Sequence, residues 1–200
     1  MAEVAEVAGR RRSGGLRAVL LGAPGSGKGT QAEFLAAALG VPAISTGAML
    51  RDAVALGSAL GMKVEDVMAS GALVDDSLMA DVVRERLGRP DAASGFLLDG
   101  YPRTTGQAAT LDSILEERLE SLDAVVMLDV PEPVLVGRAV ARKRADDREE
   151  VVRERLRIYR EKTEPLVEHY ERRSLLRRID GEQAVREVTS AILEMLGRQV

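Results

Sequence analysis

Gly22-Ala23-Pro24-Gly25-Ser26-Gly27-Lys28-Gly29-Thr30 decides the reading of this chain. Before it stands the apolar run Ala18-Val19-Leu20-Leu21, and after it Gln31 to Leu39, which reads as an amphipathic helix. Buried strand, glycine loop and helix in that order form the context of a phosphate-binding loop. Glycines let the backbone curl until successive N–H groups point at one anion. The helix adds the positive end of its dipole. Lys28 is then placed to reach the outer phosphates, with Gly25, Ser26, Gly27, Gly29 and Thr30 around them. In the usual pattern a Ser or Thr directly follows the Lys and serves the magnesium ion. Here Gly29 intervenes and the hydroxyl comes at Thr30.

The rest of the chain bounds what such a loop can serve. Its 200 residues suit one domain, and 46% are hydrophobic, enough for a sizeable core. Aromatics are only 2%, so Leu, Val, Ala and Met must fill that core. The net charge of −4 argues against general nucleic-acid binding. Cysteine is absent, which excludes disulfides and thiolate zinc ligands. The single histidine, His169, lies in a charged helical run and reads as a surface residue. No apolar run approaches the roughly 20 residues of a membrane span. Residues 1–15 lack the apolar core of a secretory signal and read as a disordered tail. A cytoplasmic protein is expected.

Strand-like runs at 17–21, 43–45, 96–99, 124–129 and 175–179 alternate with helical segments. This predicts an α/β fold, a five-stranded parallel sheet with helices on both faces. Ser45 or Thr46 is expected to cap a helix that Leu56-Gly57-Ser58 breaks; a second runs from about 58 to 69. Asp75-Asp76 cap another, to about Leu87. Further helices are expected from about Pro133 and, without a break, from about Arg148 to Arg172.

Gly95-Phe96-Leu97-Leu98-Asp99-Gly100-Tyr101-Pro102-Arg103 is the second informative stretch. A hydrophobic strand ending in Asp sets a carboxylate at the carboxyl edge of the sheet, where open α/β sheets bind ligands. Asp99 can order the water shell of Mg²⁺, and Arg103 can pair with a phosphate in fork geometry. Gln107 offers a donor and an acceptor, matching the amino group and ring nitrogen of adenine.

The loop form, the order Thr46-Gly47-x-x-x-Arg51 followed by Gly71-Ala72-Leu73-Val74, and Asp99-Gly-Tyr-Pro-Arg-x-x-x-Gln107 together resemble the adenylate kinases. So does Arg138-x-x-x-Arg142-x-Arg144-Ala-Asp-Asp followed by Arg155. The resemblance runs from about Leu16 to the C-terminus. It implies a P-loop NTPase three-layer sandwich with a helical monophosphate-binding segment at 45–74 and a short lid at 138–148. The reaction it implies is MgATP + AMP ⇌ 2 ADP, by a monomer that maintains adenine nucleotide balance. Magnesium would be held through waters near Asp99 and Thr30, with no direct protein ligand and no zinc.

By the same resemblance Arg51 and Arg103 clamp the AMP phosphate, and the Ala72-Leu73-Val74 backbone with Thr46 and Gln107 contacts its base. Gly100, Tyr101 and Pro102 belong to that site, with a cis bond between the last two. Arg142, Arg144 and Arg155 close over the transferring group. Arg138 stacks on the ATP base and Gln183 lies near it. Such transfer needs alignment and charge neutralisation and no general base, since the attacking phosphate is already anionic. Two alternatives stand beside this reading: a kinase for UMP or CMP, and a nucleotide-binding regulator without turnover. Thr46 favours AMP, because UMP/CMP kinases tend to carry Ala there. One position departs from the family: Ala48 stands where most members carry Asp or Glu.

Overall fold

In a computed structural model, residues 15–142, 144 and 147–197 are described. The expected tail therefore lies almost wholly outside the described residues, as do three positions of the expected lid. Five strands, β1 (Arg17–Leu21), β2 (Ala43–Ser45), β3 (Phe96–Asp99), β4 (Ala124–Asp129) and β5 (Leu176–Asp180), form one parallel sheet in the order β2-β3-β1-β4-β5. The predicted doubly covered sheet is therefore present, and its strand residues explain why. Successive side chains point to opposite faces. Val19, Leu21, Phe96, Leu98, Val125 and Met127 enter one core, while Ala18, Leu20, Leu97, Val126 and Leu128 enter the other. Four strands are apolar throughout or nearly so because both faces are covered. β5 is the exception, an edge strand with Arg177 and Arg178 exposed, which discourages further strand pairing.

Helix α1 (Lys28–Leu39) packs on the second core with α9 (Val185–Met195). Only Gln31, Ala32 and Leu35 of α1 are buried, and Phe34 faces outward, so the expected amphipathic face is narrow. The side chain of Gln31 donates to Val185 O at 2.9 Å and accepts from Thr189 Oγ1 at 2.8 Å, pinning the two helices together.

Between β2 and β3 come α2 (Thr46–Ala55), α3 (Ala59–Ser70) and α4 (Asp76–Leu87). Ser58 caps α3 through Gly61 N–H at 3.0 Å, and Asp75 caps α4 through Ser77 N–H at 2.9 Å. The expected cap of α2 is not made: Ser45 Oγ instead donates to Asp99 Oδ2 at 3.0 Å, and Thr46 Oγ1 to Asp99 O at 3.3 Å. Both hydroxyls are turned toward the neighbouring strand β3, away from the first helix N–H groups. Asp76 likewise leaves the cap to Asp75 and turns toward α5 (Thr105–Glu116).

After β4, α6 (Glu132–Ala141) and α7 (Glu149–Ile158) share a small core built on Leu135, Ala139, Val152 and Leu156. The expected unbroken helix from 148 to 172 is divided. A π-helical stretch, Tyr159–Thr163, separates α7 from α8 (Pro165–Arg172). The π turn inserts a residue and brings Thr163 inward, where its Oγ1 donates to Arg103 O at 2.8 Å. His169, expected at the surface, is half-buried on α8 with its ring edge-on to Tyr170. No helix among the described residues is long and apolar enough to cross a membrane.

Candidate active site

The carboxyl ends of β1, β2 and β3, with Gly181 just after β5, line a cleft of about 710 Å³. The loop after β1 forms its floor. Gly25 has φ 89° and Gly27 φ 96°, both in the left-handed region, and a Cβ at Gly25 would collide with the Leu135 carbonyl oxygen. Gly25, Ser26, Gly27, Gly29 and Thr30 all line the cleft, and α1 starts at Lys28.

Lys28 Nζ donates to Gly22 O at 2.7 Å, to Ala23 O at 2.9 Å and to Ser26 Oγ at 3.4 Å. Burial of the ammonium pulls its pKa down to about 8; Asp99 opposes this, while Arg103, Arg142 and Arg155 add to it. The side chain remains partly open toward the cleft, although protein atoms crowd the charge itself.

Asp99 ends β3 inside this ring of cations, and its Oδ2 lies close beside Gly29 of the loop. Arg103 follows through a cis Tyr101–Pro102 bond, as expected, and its Nε donates to Gly100 O at 2.8 Å. Burial lowers the Arg103 pKa from its ordinary value; Asp99 counteracts it, and Arg155 and Arg51 repel. The Arg51 and Arg103 guanidiniums converge over Gly47. Two guanidiniums facing one space favour a bound anion there.

Arg142, Arg144 and Arg155 approach from α6, the turn after it and α7. Asp147, only 5% exposed, organises them. It accepts Arg142 Nε at 2.9 Å, Arg142 Nη2 at 2.6 Å and the Arg144 backbone N–H at 3.0 Å, with Arg155 Nη1 at 3.8 Å. Burial alone would raise the Asp147 carboxyl, but these bonds and charges outweigh it and hold the pKa below the ordinary carboxylate range.

At the far end Arg138 Nη1 donates to Gly181 O at 2.8 Å, beside Gln183, and both Arg138 and Gln183 line the cleft. A smaller pocket of about 40 Å³ adjoins it, lined by Thr46, Arg51, Ala72, Leu73, Val74, Gly100, Arg103, Gln107 and Arg155 among others. Gly71, at φ 82°, lets this segment lie against α7, where a Cβ would come within 3.2 Å of Arg155 Cγ.

All the sequence-predicted site residues but one therefore line the cleft or the pocket. Tyr101 does not: its side chain is 1% exposed in the core, while Gly100 and Pro102 on either side face the ligand space. In the sequence Asp147 is legible only as part of the arginine motif, Asp76 only as a helix cap and Thr163 not at all, yet each holds a site residue in place. Asp147 had a signal, a carboxylate between Arg144 and Arg148. The site contacts of Thr163 and Asp76 cross 60 and 31 positions and have none.

The family model for adenylate kinase matches residues 20–175 of this chain. The adenylate kinase of Xanthomonas campestris pv. campestris (strain 8004) is 50% identical over 187 residues, which cover 92% of this chain and 100% of the relative. The adenylate kinase of Nocardia farcinica (strain IFM 10152) is 48% identical over 183 residues, again 92% of this chain and 100% of the relative. With a phosphate-binding loop at the floor of an arginine-lined cleft and these matches over nearly its whole length, the chain belongs to the adenylate kinase family.

Proposed function

We propose that this cleft transfers the terminal phosphoryl group of MgATP to AMP, giving two ADP, and that the residues gathered in it divide the work as follows. The observation that carries the reading is one cleft lined by Lys28, Arg51, Arg103, Arg138, Arg142, Arg144 and Arg155 together with Asp99. Such an excess of fixed cations suits a triphosphate and a monophosphate brought together, whose mutual repulsion opposes the reaction. Lys28 and the loop amides hold the ATP phosphates, with Arg138 and Gln183 at its base. Arg51 and Arg103 hold the AMP phosphate, and Thr46, Gln107 and the 72–74 backbone its base. Arg142, Arg144 and Arg155 neutralise the group in flight, and closure excludes water as a competing acceptor.

Among the described residues no group of His, Cys, Asp or Glu could hold a metal directly. The donor set suits Mg²⁺ bound through water: Asp99 beside the loop, and the Thr30 hydroxyl. The ion, when bound, offsets charge on the phosphates. We read the protein as a cytoplasmic monomer without a nucleic-acid partner; the net charge of −4 supports the last of these.

A coupled assay of ADP formation from ATP with AMP, UMP, CMP or GMP tests the reading. AMP should exceed the other acceptors by at least tenfold in kcat/KM. Equal rates with UMP would overturn the acceptor assignment, and no turnover with any acceptor would overturn the reaction.

Ala48 lines the cleft, so the family's usual carboxylate is missing at a position that faces the metal's surroundings. A hydrogen bond to a charged group is worth about 1.5–3 kcal/mol net, and holding a bridging water takes back up to about 2 kcal/mol. Ala48→Asp should therefore lower the Mg²⁺ concentration for half-maximal rate by up to about thirtyfold, with little change in KM for AMP. Superimposable magnesium titrations of the two proteins would show that position 48 does not reach the water shell.

A further inference from the structure

Gln107 reaches the smaller pocket with its amide tied at both ends. Its Oε1 accepts the Arg103 backbone N–H at 2.7 Å, and its Nε2 donates to Asp76 Oδ1 at 2.7 Å. The other oxygen of Asp76 accepts the Thr104 hydroxyl at 2.9 Å, and Thr104 Oγ1 accepts Gln107 N–H at 3.0 Å. A closed set of hydrogen bonds thus joins the first turns of α4 and α5. Gln107 is 2% exposed, while Asp76 sits at the exposed rim.

The two ends of a side-chain amide have nearly the same shape, so only the partners decide which way it points. A carboxylate can only accept and a backbone N–H can only donate. Asp76 therefore admits only the NH₂ end, and Arg103 N–H only the oxygen. A half-turn of the amide would set oxygen against carboxylate and NH₂ against N–H, replacing two hydrogen bonds by two repulsions. Each end keeps one unused capacity, a second Nε2 hydrogen and a second Oε1 lone pair. Gln107 brings these to the pocket beside Thr46 and Val74.

We propose that Asp76 is a positioning residue that fixes the polarity of the Gln107 amide and so makes the acceptor site select a 6-aminopurine over a 6-oxopurine. The inference rests on the reading that Gln107 faces the acceptor base. Adenine presents an amino hydrogen beside an unprotonated ring nitrogen. Hypoxanthine presents the reverse, a carbonyl oxygen beside a ring N–H. An amide held in one sense matches the first edge and opposes the second. Sites built on fixed donors and acceptors discriminate strongly because a mismatched ligand leaves buried groups unpaired. Without the carboxylate, Arg103 N–H still favours one sense, so selectivity should weaken and not vanish.

The test compares kcat/KM for AMP and for inosine monophosphate in wild type, Asp76→Asn, Asp76→Ala and Gln107→Ala, with KM for ATP and a thermal melt for each. Asn at position 76 can accept from Nε2 or donate to a flipped Oε1, and thus imposes neither sense. Both position-76 variants should lower the AMP-to-IMP ratio at least tenfold, mainly through KM for AMP, with KM for ATP within about twofold of wild type. The exposed Asp76→Ala provides a second reading should Asp76→Asn melt early. A parallel loss of AMP and IMP activity at constant ratio, or an unchanged ratio, would overturn the inference by leaving Asp76 a merely structural role. Its premise fails separately: wild type that does not prefer AMP over IMP, or Gln107→Ala with an unaltered KM for AMP, would show that Gln107 does not read the base.

Discussion

Lys28→Met should lose nearly all phosphoryl transfer while its stability responds to pH differently from wild type. The loss follows from position. Lys28 stands at the first residue of α1, inside the loop, with its charge held by the Gly22 and Ala23 carbonyls until phosphate displaces them. A charge-assisted contact that strengthens in the transition state is worth roughly 3–5 kcal/mol in kcat/KM, on the order of 10² to almost 10⁴-fold. Activity within about threefold of wild type would contradict the loop assignment.

The pH response follows from burial, which lowers the Lys28 pKa from 10.5 to about 8. Below pH 8 the ammonium is charged in both folded and unfolded chains, and the fold bears the cost of enclosing it. Between 8 and 10.5 the unfolded chain binds one proton more, so this group makes wild type gain stability as pH rises. The whole difference amounts to at most about 3 kcal/mol, and to about 1–2 kcal/mol once the partial opening toward the cleft is allowed for. Methionine does not titrate. The unfolding free energy of Lys28→Met minus that of wild type should therefore fall between pH 7 and 10.5, in urea titrations of the nucleotide-free proteins. A pH-independent difference would mean that the ammonium is not enclosed. The same group should make wild-type kcat/KM for ATP decline above about pH 8, since that parameter reports the free enzyme.

The parts of this protein that were legible in advance are those whose signals are local. Runs of strand length mark all five strands, apolar or nearly so in the first four and interrupted by Arg177 and Arg178 in β5, where the bounds are off by one residue. The glycines and Lys28 mark the loop because only that composition can wrap an anion. The arginines were placed by spacing within motifs, and the fold then draws four separate stretches to one sheet edge. What stayed hidden depends on partners distant in the chain. The charge-rich run from 148 to 172 reads as one helix by its charge and length, although Pro165 inside it, which lacks an N–H for the preceding turn, marks the start of α8; the π turn just before it has no composition of its own. The turn is tied to a contact between Thr163 and the Arg103 carbonyl. Ser45 and Thr46 have ideal cap chemistry, but strand pairing of β2 with β3 puts Asp99 within their reach. Tyr101 stands in the middle of a binding motif, yet its ring fills the core while its neighbours meet the ligand space.

Arg155 should carry the largest effect among Arg142, Arg144 and Arg155. It lines both the main cleft and the smaller pocket, which in the proposed reading sets it between donor and acceptor. Its side chain is only 17% exposed, and Asp147 holds it at 3.8 Å. A well-placed arginine on a transferring phosphoryl group is worth about 10³–10⁵-fold in kcat. Arg155→Ala should lower kcat by that order while KM for ATP changes less than tenfold, because the charge it offsets develops on the moving group. Arg155→Lys should recover only part of the loss: a lysine keeps the charge but cannot present two parallel N–H donors. The fold should survive either change. Asp147 retains two bonds from Arg142 and one from Arg144 N–H, so no buried carboxylate is left bare. Arg144→Ala should also lower kcat, and the Arg144→Ala, Arg155→Ala double variant should fall well short of the product of the singles. Two groups that neutralise one charge become redundant in their loss once the first has gone. Wild-type kcat in Arg155→Ala would remove Arg155 from the transfer step, and strict multiplicativity in the double variant would show that the two arginines do not act on one charge.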